Sequence, residues 1–149
     1  MYELLKAIHV LAAAAWVGAA LILLYFDARV ARAAPEHLDA HLEAEDHIGV
    51  RYFVPVTLVV LLAGIGLVID GSWSLGEPWI SAGLGVWAAS FVVGVAYFAP
   101  ETPRIRALIE AEGPTSPAVT ARLRRLHLVG LIEAAALVAI LVIMVTKPG

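Results

Sequence analysis

Four separate stretches of this chain are long and apolar enough to cross a lipid bilayer, and no other feature of the sequence constrains its fold as strongly. A membrane-crossing helix needs about 20 apolar residues, each adding about 1.5 Å of rise. Residues 7–26 carry no fixed charge. Residues 52–69, 79–99 and 126–145 follow, and the last of these contains only His127 and Glu133 besides apolar residues and one glycine. Hydrocarbon offers no hydrogen bonds to the backbone, so segments of this kind cross as helices. Composition agrees. Hydrophobic residues make up 61% of the 149 and charged ones 15%, whereas a soluble domain of this size needs about 25% charge.

The fold expected is therefore all-α: an integral membrane four-helix bundle, antiparallel and up-down, in one domain over residues 1–149. Its spans fall near 4–30, 48–70, 78–100 and 118–146. The first span could be mistaken for a secretory signal because "ARA" at 31–33 resembles a cleavage site. Its apolar run exceeds the usual 7–15 residues, and Lys6 is offset by Glu3, so a span is the better reading.

The connectors read as short amphipathic helices. "APEHLDAHLEAED" supplies a polar helical turn or two before span two. In "ETPRIRALIEAEGP", Thr102 is the expected cap, Pro103 the first helical residue, and Gly113 with Pro114 the stop. Ser116–Pro117 restarts a helix that runs into span four, and Pro78 opens span three. No internal repeat is expected.

Basic residues set the expected orientation. Arg29, Arg32, Arg51, Arg104, Arg106, Arg122, Arg124 and Arg125 gather at one side, against Lys6 and Lys147 at the other. The arginine side is read as cytoplasmic, which puts both termini outside a bacterial inner membrane, with Trp73 and Trp79 as outer interfacial anchors. The arginines suit anionic lipid headgroups. The expected partners are the bilayer and a second copy in a homodimer. Nucleic acid has no support, and no soluble small-molecule substrate is indicated, since no phosphate loop, nucleophile elbow or HExxH pattern occurs. The absence of cysteine excludes disulfides and thiolate chemistry.

Ionisable groups at bilayer depth are costly and point to a partner or a function. His9 lies about 20 Å above the inner surface and Glu133 about 16 Å above it, close enough in depth to meet across a bundle. Trp16, seven residues after His9, shares its face with Ala13 and Ala20. Span three carries a stripe of Gly83, Trp87, Ser90, Gly94 and Tyr97, read chiefly as helix packing. His47 and His127 are expected at similar depth near the inner side, as flanks of one metal site or as snorkelling residues. His37 and His41 are spaced i, i+4, with Glu45 one turn on; without a third fixed ligand that pattern reads as a solvated face.

"LKAIHVLAAAAWVG" resembles the first span of a superfamily of small helical membrane proteins that includes the copper-resistance D domain and the HemJ-type protoporphyrinogen oxidase; the matching positions are Lys6, His9, Trp16 and Gly18. "VPVTLVVLLAGIGLV", "SWSLGEPWISAGL" and the ending Met144–Val145–x–Lys147–Pro148 are similar to a family of short four-span bacterial proteins of unknown function. The wider resemblance implies a haem b-binding redox protein, with His9 as axial ligand; Trp16 and Glu133 are the further candidate cofactor-binding residues. The copper branch of the resemblance implies instead a copper path using His9, with Met144 or another histidine; as a transport reading of the residues themselves, His9 and Glu133 line a polar path for copper or protons, with His47 and His127 at its inner end. A purely structural subunit is the third alternative. Leu131 stands where this fourth-span pattern often has an arginine, so Glu133 lacks a counter-charge on its own helix.

Overall fold

A computed structural model describes residues 1–147; Pro148, part of the C-terminal pattern above, lies outside them. Six α-helices follow in order: α1 (Tyr2–Ala33), α2 (Leu38–Ile48), α3 (Val54–Asp70), α4 (Pro78–Val93), α5 (Ala99–Glu112) and α6 (Pro117–Thr146). They make four rods, because α2 runs into α3 through a π-helical turn at Gly49–Phe53, and α4 into α5 through another at Gly94–Phe98. All four rods are long and apolar enough to span a membrane.

α1 packs most extensively on α3 and next on α6, and α4 packs on α6 and less on α3. The rods thus alternate in direction around the bundle, which is the antiparallel up-down arrangement. Few of their residues are buried, and Leu11, Ile22, Leu62, Val92, Ile132 and Val142 lie exposed on the outside. An apolar surface of that extent is stable only in lipid.

The rods overrun the apolar windows on one side and build a second packing layer there. Leu38, Leu42, Ile105, Val119 and Leu126 form its core, each almost fully buried. At the opposite end, Lys147 Nζ lies 5.0 Å and 5.1 Å from the ring centres of Trp73 and Trp79, whose rings meet edge to face. The hairpin between α3 and α4 and the end of α6 therefore share one end of the bundle, and the connectors share the other.

Two connector expectations change. The segment around Thr102 does not start a new helix: α5 continues α4, and the Thr102 hydroxyl donates back to the Phe98 carbonyl at 3.2 Å instead of capping. Pro103 sits inside the rod, where proline lacks the donor for its i−4 carbonyl but leaves the register intact. Ser116 does cap as expected, its hydroxyl accepting from the Val119 N–H at 3.2 Å, and Gly113, at φ 88°, ends α5.

Glu101 is the most buried charged residue of the connector layer. Arg122 binds it at 2.6 Å and Arg104 approaches at 3.5 Å. Removing Arg122 leaves a buried carboxylate with one distant partner. Arg122→Ala is expected to cost about 1–3 kcal/mol and to lower the thermal midpoint in detergent, whereas Arg122→Lys retains most of the stability. An Arg122→Ala midpoint equal to wild type would show that the pair carries no weight.

Candidate functional site

The bundle is not filled along its length. A cavity of about 310 Å³ runs down the axis from Trp16, Ser90 and Glu133 to Asp27, Glu45 and Asp46 near the connectors. Toward the termini it is stopped by the core of Ala12, Trp16, Val17, Val60 and Leu137, with Trp87 packed against it. The Trp87 indole N–H donates to the Thr57 carbonyl at 2.9 Å and ties α4 to α3 there. On the flank the cavity reaches the gap between α3 and the α4–α5 rod, where Val54, Val95 and Ala99 are exposed.

The gap has a local cause. Pro55 and Pro100 stand at the second residue of α3 and α5. A proline ring cannot donate to, and crowds, the carbonyl four residues back, here Arg51 and Ala96. Each of those carbonyls falls inside a π-helical turn, whose extra residue relieves the crowding. The turns close with five-residue hydrogen bonds, from the N–H of Val54 to the Gly49 carbonyl and from that of Ala99 to the Gly94 carbonyl. A Cβ added at Gly49 or Gly94 would meet nothing within 4 Å.

The two turns repeat in sequence as well as in shape. Gly49–Val50–x–Tyr52–Phe53–x–Pro55–x–Thr57 recurs as Gly94–Val95–x–Tyr97–Phe98–x–Pro100–x–Thr102. In each copy the Tyr and Phe rings meet edge to face at 5.6 Å, and the threonine hydroxyl donates to the phenylalanine carbonyl, at 2.8 Å and 3.2 Å. In each copy the glycine, valine, phenylalanine and threonine line the cavity. The rods run in opposite directions, so the copies face one another inverted across it. The expectation of no internal repeat fails here: the nine-residue pattern is visible in the sequence but too short to register as a duplicated domain. The copies differ at the tyrosine hydroxyl. The Tyr52 hydroxyl donates to the Ala15 carbonyl at 3.0 Å, whereas the Tyr97 hydroxyl is buried with no partner.

Four of the lining residues are acids, Asp27, Glu45, Asp46 and Glu133, and none is Lys, Arg or His. Most of the remaining wall is apolar, so the field of these acids is weakly screened. Ser90 is the polar neighbour of Glu133 at the deep end. At the mouth, Asp27 accepts from His41 Nε2 at 2.8 Å.

The residues singled out in the sequence separate. Trp16 and Glu133 line the cavity; His9 does not. His9 Nδ1 lies 2.8 Å from the Val60 carbonyl oxygen, on the seam between α1 and α3. A carbonyl only accepts, so Nδ1 carries the proton and Nε2 the lone pair. Gly64 makes room for the ring, since a Cβ there would stand 3.1 Å from His9 Cε1. No hydrogen bond or ion pair joins His9 to Glu133 among the described residues. His47 Nδ1 lies 3.3 Å from the Glu43 carbonyl of its own helix, in an exposed setting, and His127 Nδ1 is buried without a partner. His9, His47 and His127 form no shared cluster among the described residues; the histidine that gathers carboxylates is His41, with Asp27 and Glu45. Met144 packs its methyl on Gly83 of α4.

A family model described as "predicted integral membrane protein (DUF2269)" matches residues 3–148. The chain belongs to this family. No curated protein and no solved structure matches it. Membership agrees with the spans and the apolar exterior, and the family description names no activity.

The seam at His9 generates a test. His9→Ala removes the interhelical bond, and Gly64→Val displaces the ring from the Val60 carbonyl. Each is expected to cost about 0.5–2 kcal/mol in detergent, and because they break one interaction, the double variant is expected to lose no more than the worse single one. Additive losses would separate the two residues.

Proposed function

We propose that this membrane protein handles a cation, in a transport-related role, within the cavity between its four rods. The observation that carries this reading is the lining: four acids and no basic residue in a largely apolar chamber. Low-dielectric walls keep the field of a carboxylate from dissipating, which concentrates cations and repels anions. Asp27, Glu45 and Asp46 gather the cation at the connector end, and Glu133 with Ser90 receives it at mid-bilayer depth. The charge bias of the arginines supports the connector end as the cytoplasmic side of an inner membrane.

The haem expectation gains less from this geometry. A haem brings two propionate carboxylates of its own, and the cavity meets them with four more acids and no arginine or lysine. The proposed axial ligand, His9, faces Val60 on a seam outside the cavity. The residues around the chamber therefore do not fit a haem. The copper-resistance D branch of the first-span resemblance is compatible with a cation, and His9, on its seam outside the cavity, takes no part in the lining.

The cysteine-free sequence makes the test direct. A single Ser90→Cys thiol at the deep end is expected to react with a cationic methanethiosulfonate at least tenfold faster than with an anionic one of similar size. Glu133→Gln in the same background is expected to narrow that ratio, and Ile132→Cys on the lipid face to react with neither. Equal rates for the two reagents at Ser90→Cys, or no reaction at all, would overturn the reading.

A further inference from the structure

Asp27, His41 and Glu45 each bring a ligand atom to one point where α1 meets α2, and these atoms all lie within 4.8 Å of one another. His41 Nε2 stands 2.8 Å from Asp27 Oδ1 and 3.8 Å from Glu45 Oε1. The convergence has a plain origin. His41 and Glu45 are one turn apart and share a face of α2. The chain reverses at the 3₁₀ turn Pro35–His37 and lays that face along the end of the apolar stretch of α1, where Asp27 sits. All three side chains are mostly buried, with 25%, 17% and 15% of their surface exposed.

Charge singles the cluster out from the rest of the layer. Asp39 and Glu43 pair with Arg106, and Glu101 with Arg122 and Arg104. Asp27 and Glu45 have no lysine or arginine within 4.0 Å among the described residues; besides each other, they face the His41 imidazole. Two inward carboxylates without a permanent cation are costly to bury, and a divalent ion neutralises both at once.

We propose that Asp27, His41 and Glu45 form a binding site for one divalent transition-metal ion. One imidazole nitrogen and two carboxylate oxygens make a three-ligand set that leaves a coordination position open, the pattern of zinc sites that exchange a ligand. Bonds of about 2.1 Å set tetrahedral donors about 3.4 Å apart; the observed 2.8 Å and 3.8 Å bracket that spacing, so side-chain rotation suffices to close the site. An imidazole donor favours zinc-like ions over magnesium or calcium. His37, the other half of the i, i+4 pair, is exposed and faces Glu36 at 3.9 Å, away from the site. Asp27 and Glu45 also wall the cavity mouth, so an ion here removes two of its four acids. The inference shares that mouth with the function proposed above but needs nothing of Glu133, and either stands without the other.

The test uses the full chain, purified in detergent and stripped with a chelator. Zn²⁺ is titrated calorimetrically, and Co²⁺ is followed by its visible absorption, which reports nitrogen and oxygen ligation. Wild type is expected to bind one ion per chain. His41→Ala, with His41→Gln as the milder change, and the isosteric pair Asp27→Asn with Glu45→Gln are expected to weaken binding at least tenfold while eluting from size exclusion as wild type does. His37→Ala and His47→Ala are expected to bind as wild type. Absence of stoichiometric binding by wild type, unchanged binding in the His41 variants, or loss of binding in His47→Ala would overturn the site. Intact Zn²⁺ binding beside charge-blind labelling at Ser90→Cys would retire the cation reading of the deep cavity and leave the metal site standing.

Discussion

Backbone hydrogen bonds in hydrocarbon have no substitute, and the rest of this structure follows from how the chain meets that demand where prolines interrupt it. Four long helices satisfy nearly every peptide group internally. Pro55 and Pro100 interrupt the pattern in neighbouring, oppositely directed rods. The chain answers with two π-helical turns instead of two helix ends. The turns begin with glycines whose missing side chains leave open space, and both glycines line the chamber of about 310 Å³.

What fills the chamber walls gives it chemical character. Apolar side chains dominate, so each carboxylate among them acts over a distance that water would not allow. Two arginines of the connector layer are engaged with other acids. Arg106 and Arg122 hold Asp39, Glu43 and Glu101 and stitch the connector layer together. The division is spatial: arginine ion pairs outside the cavity hold rods together, and among the described residues the acids inside it have no lysine or arginine partner. The mouth adds an imidazole to two of those acids, which distinguishes it from the deep end, where Glu133 has only the Ser90 hydroxyl beside it.

Much of the fold was legible because lipid imposes one rule along the whole chain. Span number, antiparallel order and the Ser116 cap follow from apolar run length and cap chemistry. The continuous α4–α5 rod was not legible, since Thr102–Pro103 carries a strong start signal that tertiary packing of Ile105 on Leu38 and Leu42 overrides. Of the site, Trp16 and Glu133 were visible as an aromatic and an acid at bilayer depth. His9 was visible as unusual, but depth alone does not give direction, and a backbone carbonyl 51 residues away receives its proton. His41 and Glu45 were visible as a spaced pair; their third partner, Asp27, comes from another helix, and only the reversal at Pro35 brings it near. The paired proline motif was present in plain letters, and its meaning depends on two rods facing each other.

The central claim is that the acid-lined chamber carries a cation, and the most direct measurement is proton and copper movement in proteoliposomes of defined orientation. The account predicts wild-type flux of one of these cations well above protein-free vesicles, falling to that background in Glu133→Gln. Wild-type vesicles indistinguishable from protein-free ones for both cations, or a Glu133→Gln flux equal to wild type, would contradict it.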